Sequence, residues 1–270
     1  MPANLWLGAD PRPEPAGSIE SAAGGILRAV ATTQGTDPST AIRHGVVVAL
    51  DGPSSSGKST VGAEAARRLR YRFCDTGLLY RAVTWLAIER GIAPSDVPAL
   101  VALVPEVQLI ADARGRLRHV EAAGADVTVQ VRGAAVDRAV SDYAKVPELR
   151  AALVGRQRAL AGEGGGIIMA GRDIGTVILP DAAVKIYLSA SAEVRARRRA
   201  AQRRTTDEAR AGQILAELRT RDSIDSSRET APLRTAPDAT IIHTDGNGFE
   251  ETVDAVIRAI RVAEGDTGGR

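Results

Sequence analysis

Val46-Val47-Val48-Ala49-Leu50-Asp51-Gly52-Pro53-Ser54-Ser55-Ser56-Gly57-Lys58-Ser59-Thr60 is the stretch that decides the fold. Its first residues form a short apolar run rich in β-branched side chains, the pattern of a buried strand. The run passes directly into Gly52-x-x-x-x-Gly57-Lys58-Ser59, a phosphate-binding loop pattern. Residues 61–69, Val-Gly-Ala-Glu-Ala-Ala-Arg-Arg-Leu, read as the helix that follows. Glycines let a backbone wrap an anion with its N–H groups turned inward, and the helix N-terminus adds partial positive charge. Gly52, Pro53, Ser54, Ser55, Ser56, Gly57, Lys58, Ser59 and Thr60 are therefore the candidate segment for binding a nucleotide's phosphates. Lys58 is expected to reach the β- and γ-phosphates, and the Ser59 hydroxyl to ligate Mg²⁺.

Further along, the chain alternates strand and helix patterns. Core strands are predicted at 46–50, 71–74, 167–170, 184–188 and 239–243. Helices are predicted at 78–88, 133–140, 147–160 and 250–262, with Pro147 at a first helical position and Gly91 as a stop. Repeated βα units imply an α/β fold, a five-stranded parallel sheet flanked by helices. Three strand-like runs at 106–111, 117–121 and 125–131 interrupt the alternation and read as an insert, about 92–146. After the 184–188 strand, Ser189 or Ser191 can cap a helix carrying Arg195, Arg197, Arg198, Arg199, Arg203 and Arg204. Thr205-x-x-Glu208 reads as a capping box, so 199–206 is expected to turn between two helices of a lid, about 195–210. Residues 45–270 form the expected catalytic domain. Residues 1–44 form an extension whose first 17 residues are expected to be disordered, with a weak helical pattern from Ile19 to Val30.

Composition narrows the classes. The net charge of +2 provides no strong global field for nucleic acid or a membrane. Only Lys58, Lys145 and Lys185 are lysines; the other 32 cations are arginines, whose planar fork suits phosphate oxygens. Cys74 is the single cysteine, which excludes an internal disulfide and fits a reducing compartment. No stretch has transmembrane length and hydropathy, and no secretory signal is evident, so a soluble cytoplasmic protein is expected; the expectation for its assembly is a monomer. His44, His119 and His243 have no metal-like spacing.

A phosphate loop alone serves GTPases, motor ATPases and small-molecule kinases alike. No Asn-Lys-x-Asp run is present to read guanine, and the strand at 167–170 ends in Ala170-Gly171-Arg172-Asp173 rather than Asp-Glu. What stands out is a set of arginines at strand ends and loop tips: Arg81, Arg132, Arg150, Arg172, Arg221 and Arg228. A kinase whose acceptor is itself a phosphate needs that distribution. With a second pKa near 6, the acceptor is largely dianionic at neutral pH and requires no general base. The task is to align two polyanions and neutralise them, with arginines on the acceptor side and on a closing lid. No aromatic residue lies within the 195–204 arginine run, which argues against single-strand nucleic-acid binding by stacking. A kinase for UMP, shikimate or gluconate, and a non-catalytic nucleotide- or RNA-binding protein, remain open at this point.

The ordered set of motifs resembles the bacterial cytidylate kinases. It comprises Asp51–Thr60, Asp75-Thr-Gly-Leu-Leu-Tyr-Arg81, Gly171-Arg-Asp-Ile-Gly-Thr176, Pro180-Asp181 before Val184–Leu188, and Arg221-Asp222 through Arg228 to Ala231-Pro-Leu233. The likeness runs from about Val46 to Val262. It implies a nucleoside-monophosphate-kinase fold with a lid and a small three-stranded acceptor-binding insert, and transfer of the ATP γ-phosphate to CMP or dCMP. It places Thr76, Arg81, Ser141, Arg150, Arg172, Asp173, Arg221, Asp225 and Arg228 at the acceptor. Of these, Ser141, Arg150 and Asp173 lie toward cytosine, Asp225 with Arg221 toward the ribose, and Arg81, Arg172 and Arg228 toward the phosphate. Lys58, Arg172, Asp173, Arg198 and Arg228 are the expected catalytic side chains. One departure matters: Ala170 stands where the family often carries an acid, so Ser59 is expected to bear more of the Mg²⁺ positioning. Thr76 in place of a frequent Ser keeps the hydroxyl.

Overall fold

The run that begins at Val47 does become the centre of a sheet, and its burial on both faces explains why it reads as continuously apolar. In the computed structural model, which describes residues 45–265 apart from Thr206, β1 (Val47–Asp51) leads into the phosphate loop and α1 (Lys58–Leu69). β2 (Arg72–Asp75) and α2 (Gly77–Glu89) follow, then α3 (Val97–Ala102), β3 (Val107–Ala111), β4 (Arg116–Ala122) and β5 (Ala125–Asp126). The helices α4 (Ala134–Ala144) and α5 (Pro147–Gly162) lead to β6 (Ile167–Gly171), a π-helical turn at Ile174–Ile178, and β7 (Val184–Ser189). α6 (Ala192–Gln202), α7 (Glu208–Ser227), β8 (Thr240–His243) and α8 (Phe249–Ala263) complete the described residues. The predicted extension at 1–44 lies outside them.

The five core strands pair in parallel in the order β2-β6-β1-β7-β8. Alternate residues of β1 and β6 enter two different cores. Val48, Leu50, Ile168 and Ala170 pack with α1 and α8 on one face through Ala65, Leu69, Val253, Val256 and Ile260. Ala49, Ile167 and Met169 pack with Ile174 and Ile178 on the other. Gly62 of α1 is where helix and sheet come closest: a Cβ there would meet the Phe73 ring at 2.6 Å and Leu50 Cδ2 at 2.8 Å.

The insert differs from expectation in two ways. Its strands extend the central sheet, because β4 pairs in parallel with β2 at Phe73–Arg116 and Cys74–Leu117, and β3 adds antiparallel to β4. The strand expected at 125–131 shortens to Ala125–Asp126, after which Gln130–Arg132 winds into a 3-10 turn. The Asp126 side chain accepts the Thr128 N–H, and Thr128 Oγ1 accepts the Val120 N–H, so side chains replace the ladder bonds. A further core, formed by Leu79, Val83, Leu86, Leu100, Val120, Val140, Leu149 and Leu153, fastens the insert to α2 and α5.

The segment expected as a lid is a helical hairpin with its own small core of Ala196, Ile214 and Leu218. Ser191 caps α6 by accepting the Val194 N–H, and α6 runs to Gln202, beyond the turn expected from residue 199. Arg199-Ala-Ala-Gln202 contains only strong helix formers, which carries the helix through. The capping box at Thr205 is not the one used: Asp207 caps α7, accepting the Ala209 N–H at 3.0 Å. An ionised carboxylate at N-cap also favours the helix dipole more than a hydroxyl two residues earlier would.

Candidate active site

All five parallel core strands point their C-terminal ends to one edge, where the chain leaves β1, β2 and β6 for loops and helix starts. Ligands bind at this edge in open α/β sheets. A cavity of about 700 Å³ lies there. Its walls include Ser54, Ser55, Gly57, Lys58, Ser59 and Thr60 of the loop, Thr76 and Arg81 of the β2–α2 segment, and Arg150 of α5. Arg172 and Asp173 after β6, Arg198 of α6, and Arg221, Asp225 and Arg228 of α7 and its end also line it. Residues separated by up to 174 positions in sequence thus meet at one site. Gly52, Pro53 and Ser56 are buried beneath the loop, and Ser141 is buried in α4; none of the four is among the lining residues.

The loop holds its shape through backbone geometry. Gly52 has φ 149°, and a Cβ there would meet the Leu188 carbonyl oxygen at 2.3 Å, so β7 leaves room only for glycine. Gly57, at φ 104°, turns the chain into α1. Lys58 Nζ donates to the carbonyls of Gly52 at 2.7 Å and Pro53 at 2.6 Å. Burial, reinforced by the Arg172 guanidinium, pulls the Lys58 ammonium well below the ordinary lysine range. The loop is braced from the lid as well. Arg195 Nη1 donates to the Ser54 carbonyl at 3.1 Å while Nη2 pairs with Asp222 at 2.5 Å. Arg198 donates to Ser56 O at 3.4 Å and, through its other guanidinium nitrogen, to Thr244 O at 2.6 Å.

On the cavity wall the arginines come with carboxylates that fix them. Arg172 Nε pairs with Asp225 Oδ2 at 2.7 Å, and its Nη1 donates to the Gly52 carbonyl at 3.3 Å. Arg172 therefore links the phosphate loop to Asp225 of α7. Arg228 pairs with the other oxygen of Asp225. Burial pushes the Asp225 carboxyl up, but Arg172 and Arg228 outweigh it and hold the group below the usual carboxylate range. Arg150 Nη2 pairs with Asp173 Oδ2 at 2.5 Å, both side chains being buried, and the guanidinium lies 5.3 Å from the Tyr80 ring centroid. Arg221 has no such partner: its buried Nε is unbonded among the described residues, and burial together with Arg172 lowers its pKa to about 10. Thr76 Oγ1 donates to the Ala170 carbonyl at 2.9 Å.

The roles of several contributors were not legible in the sequence. Asp51 ends β1 and accepts the N–H groups of Ile174 and Gly175 at 2.9 and 2.7 Å, which seats the turn carrying Asp173. Burial pushes its carboxyl up to about 6 against those two hydrogen bonds. Asp75 lies within the quoted Asp75–Arg81 motif, but its role was not legible there. Its Oδ2 accepts from Ser59 Oγ at 2.6 Å, and it stands opposite Ala170 in the β2–β6 register. Asp137, in α4, receives three arginines. Each of these carboxylates depends on a partner far away in the chain, so spacing along the sequence could not reveal it.

Comparison with known proteins agrees with this geometry. Residues 48–262 match the family model described as cytidylate kinase. The chain is 44% identical over 222 residues to a cytidylate kinase of Geobacillus kaustophilus, covering 81% of this chain and 98% of that one. It is 45% identical over 218 residues to that of Geobacillus thermodenitrificans, covering 80% and 96%. With the cytidylate kinase of Mycobacterium avium it shares 43% identity over 219 residues, covering 80% and 95%. A match over about four-fifths of the chain at this identity, together with a phosphate loop and a set of arginines lining one cavity, means that the chain belongs to the cytidylate kinase family.

Proposed function

We propose that the protein phosphorylates CMP and dCMP with ATP, and that the wall formed by Arg81, Arg150, Arg172, Arg221 and Arg228 opposite Lys58 holds the acceptor. The observation that carries this reading is the conjunction, in one cavity, of the phosphate loop with five arginines and the carboxylates of Asp173 and Asp225. Three of those arginines, Arg150, Arg221 and Arg228, keep a buried Nε with no partner among the described residues. An unpaired buried donor costs about 1–3 kcal/mol, a deficit that phosphate or base oxygens would remove.

The roles follow from the chemistry. An acceptor phosphate is already ionised, so the site orients and neutralises rather than deprotonates. Arg172 bridges donor loop and acceptor wall and is therefore the group best set to follow charge as it moves between them. The Arg150–Asp173 pair presents donors beside an acceptor. That pairing complements cytosine, whose exocyclic amine donates while its ring nitrogen and carbonyl accept; a carboxylate accepting from that amine is a standard readout of the base. Uracil carries a carbonyl in the amine's place and would face Asp173 with like polarity, a built-in penalty. Arg198, on the lid, adds a cation over the donor loop.

Mg²⁺ fits the residues present. Ser59 and Asp75 supply hard oxygens 2.6 Å apart at the cavity wall. Among the described residues no group of three or more His, Cys, Asp or Glu could form a self-sufficient cage. Mg²⁺ is commonly held by one or two carboxylates together with nucleotide phosphates and water, and Ser59 with Asp75 would meet that need where Ala170 offers no oxygen donor. The ion would screen the phosphate chain. No described helix is long and apolar enough to cross a membrane. The buried free thiol of Cys74 supports a cytoplasmic setting, and we take the working unit to be a monomer with no nucleic-acid partner.

The test is a panel of acceptors assayed with ATP and Mg²⁺. CMP and dCMP should exceed UMP and AMP in kcat/KM by roughly 100-fold or more, the scale available to a site that hydrogen-bonds its substrate's polar edge. Equal rates across the panel would overturn the reading.

A further inference from the structure

Asp137 lies on the insert helix α4, outside every motif that marks the family resemblance, yet three arginines converge on it. Arg81 Nη2 from α2 lies 2.5 Å from Oδ1. Arg199 Nη2 from α6 lies 2.5 Å from Oδ2, and Arg203 Nη2, just past the end of α6, lies 3.2 Å from the same oxygen. All four residues line the cavity. The carboxylate is 13% exposed; burial pushes its pKa up, and the three guanidiniums outweigh burial and hold it low. One negative charge therefore sits among three positive ones on the cavity wall.

We infer that Asp137 competes with the acceptor's phosphate for Arg81, Arg199 and Arg203. This rests on the proposed role of Arg81 as a phosphate ligand. A tethered carboxylate and a phosphate dianion present the same oxygen-edged anion to a guanidinium fork, so each arginine that turns to the phosphate leaves Asp137. The two anions also repel at short range in a partly buried site, where one unit charge near a dianion is worth at least several-fold in affinity. Because the arginines come from both α2 and α6, the exchange links arrival of the acceptor to release of the lid from the insert. A carboxylate here weakens acceptor binding and, by the same amount, eases its departure. In the lid-arginine cluster, Arg203 also pairs with exposed Glu217 at 3.3 Å, so it keeps a partner after the exchange.

The experiment compares the full-length wild type with Asp137→Asn, titrating CMP, inorganic phosphate and cytidine by calorimetry. The expected result is a Kd lowered roughly five- to fifty-fold for CMP and phosphate, with cytidine unchanged, because only the phosphate contends with the carboxylate. The KM for CMP should fall without a matching rise in kcat. Asp137→Ser, which removes the carboxylate with less bulk, is measured alongside should the amide fail to fold. A Kd for CMP and phosphate that is unchanged or raised in the folded variant would overturn the inference and leave Asp137 a purely structural clasp. A wild type that does not prefer CMP to UMP, with phosphate still tightened by Asp137→Asn, would sink the functional reading and leave the competition standing.

Discussion

Single residues in this site divide into those that motifs announce and those that only partners explain. Lys58 is of the first kind: a lysine after the second loop glycine is tied to phosphate by position alone. Replacing it with Ala should lower kcat about 100- to 1000-fold, the usual cost of one charged donor at a transferring phosphoryl group, with the thermal unfolding midpoint little changed. Turnover near the wild-type rate would remove the loop as donor site. Asp173 is visible in Gly171-Arg-Asp, but its pairing with Arg150, 23 residues away, is not. Asp173→Asn puts an amide where a carboxylate accepts, so the preference for CMP over UMP in kcat/KM should fall by roughly 10- to 100-fold. A preserved ratio with reduced overall rate would mean that Asp173 acts without reading the base. Asp51, Asp75 and Asp137 were illegible for one shared reason. An aspartate at the end of a strand or on a helix face reads as solvated until the fold brings a backbone N–H, a serine or three arginines against it.

Elements were more legible than residues because hydrophobic period and cap residues are local. The strand–loop–helix at 47–69, Pro147 at the start of α5 and Gly91 past the end of α2 all follow from short-range chemistry. The misreadings arose where two local signals competed. At the lid turn, Asp207 overrode Thr205 as cap. At 125–131 an apolar alternation yielded to side chain–backbone hydrogen bonds from Asp126 and Thr128. The lid's core of Ala196, Ile214 and Leu218 is separate from the cores beneath the sheet. Ile214, 1% exposed, should therefore report on the lid alone. Ile214→Ala removes three buried carbons and should cost about 2–4 kcal/mol within the hairpin. Hydrogen exchange is expected to quicken in α6 and α7 while β1 and β6 stay protected. Faster exchange spread evenly over the sheet would show that the lid is part of the main cooperative unit.

At the scale of the whole molecule, the buried charge network that lines the cavity also bears on stability. Asp225 is 1% exposed in its side chain and paired with Arg172 and Arg228. Its folded pKa is lowered from the ordinary 3.8, so its contribution is present above that value and lost as pH falls through the folded one. Asp51 has the opposite sign: raised to about 6, it favours the folded state most below 3.8 and loses that contribution as pH rises through about 6. Asp225→Asn strands two guanidiniums and should cost about 3–5 kcal/mol at pH 7. In urea titrations that deficit should shrink as the pH falls below 3.8 toward the lowered folded pKa, because the wild type loses its charge-dependent contribution over that interval. A deficit independent of pH would mean that packing rather than charge makes Asp225 matter. The sequence by itself determined the α/β class and the phosphate-loop motif, and through the family resemblance of its ordered motifs the kind of acceptor, because strand period, glycine geometry and those motifs are written in consecutive residues. Only the tertiary structure decided which carboxylate holds which arginine, that β4 extends the sheet through β2, and that Ser59 meets Asp75 beside Ala170. Those facts depend on contacts between distant segments, and the energy of a buried charge is set by what folding brings against it rather than by its neighbours in the chain.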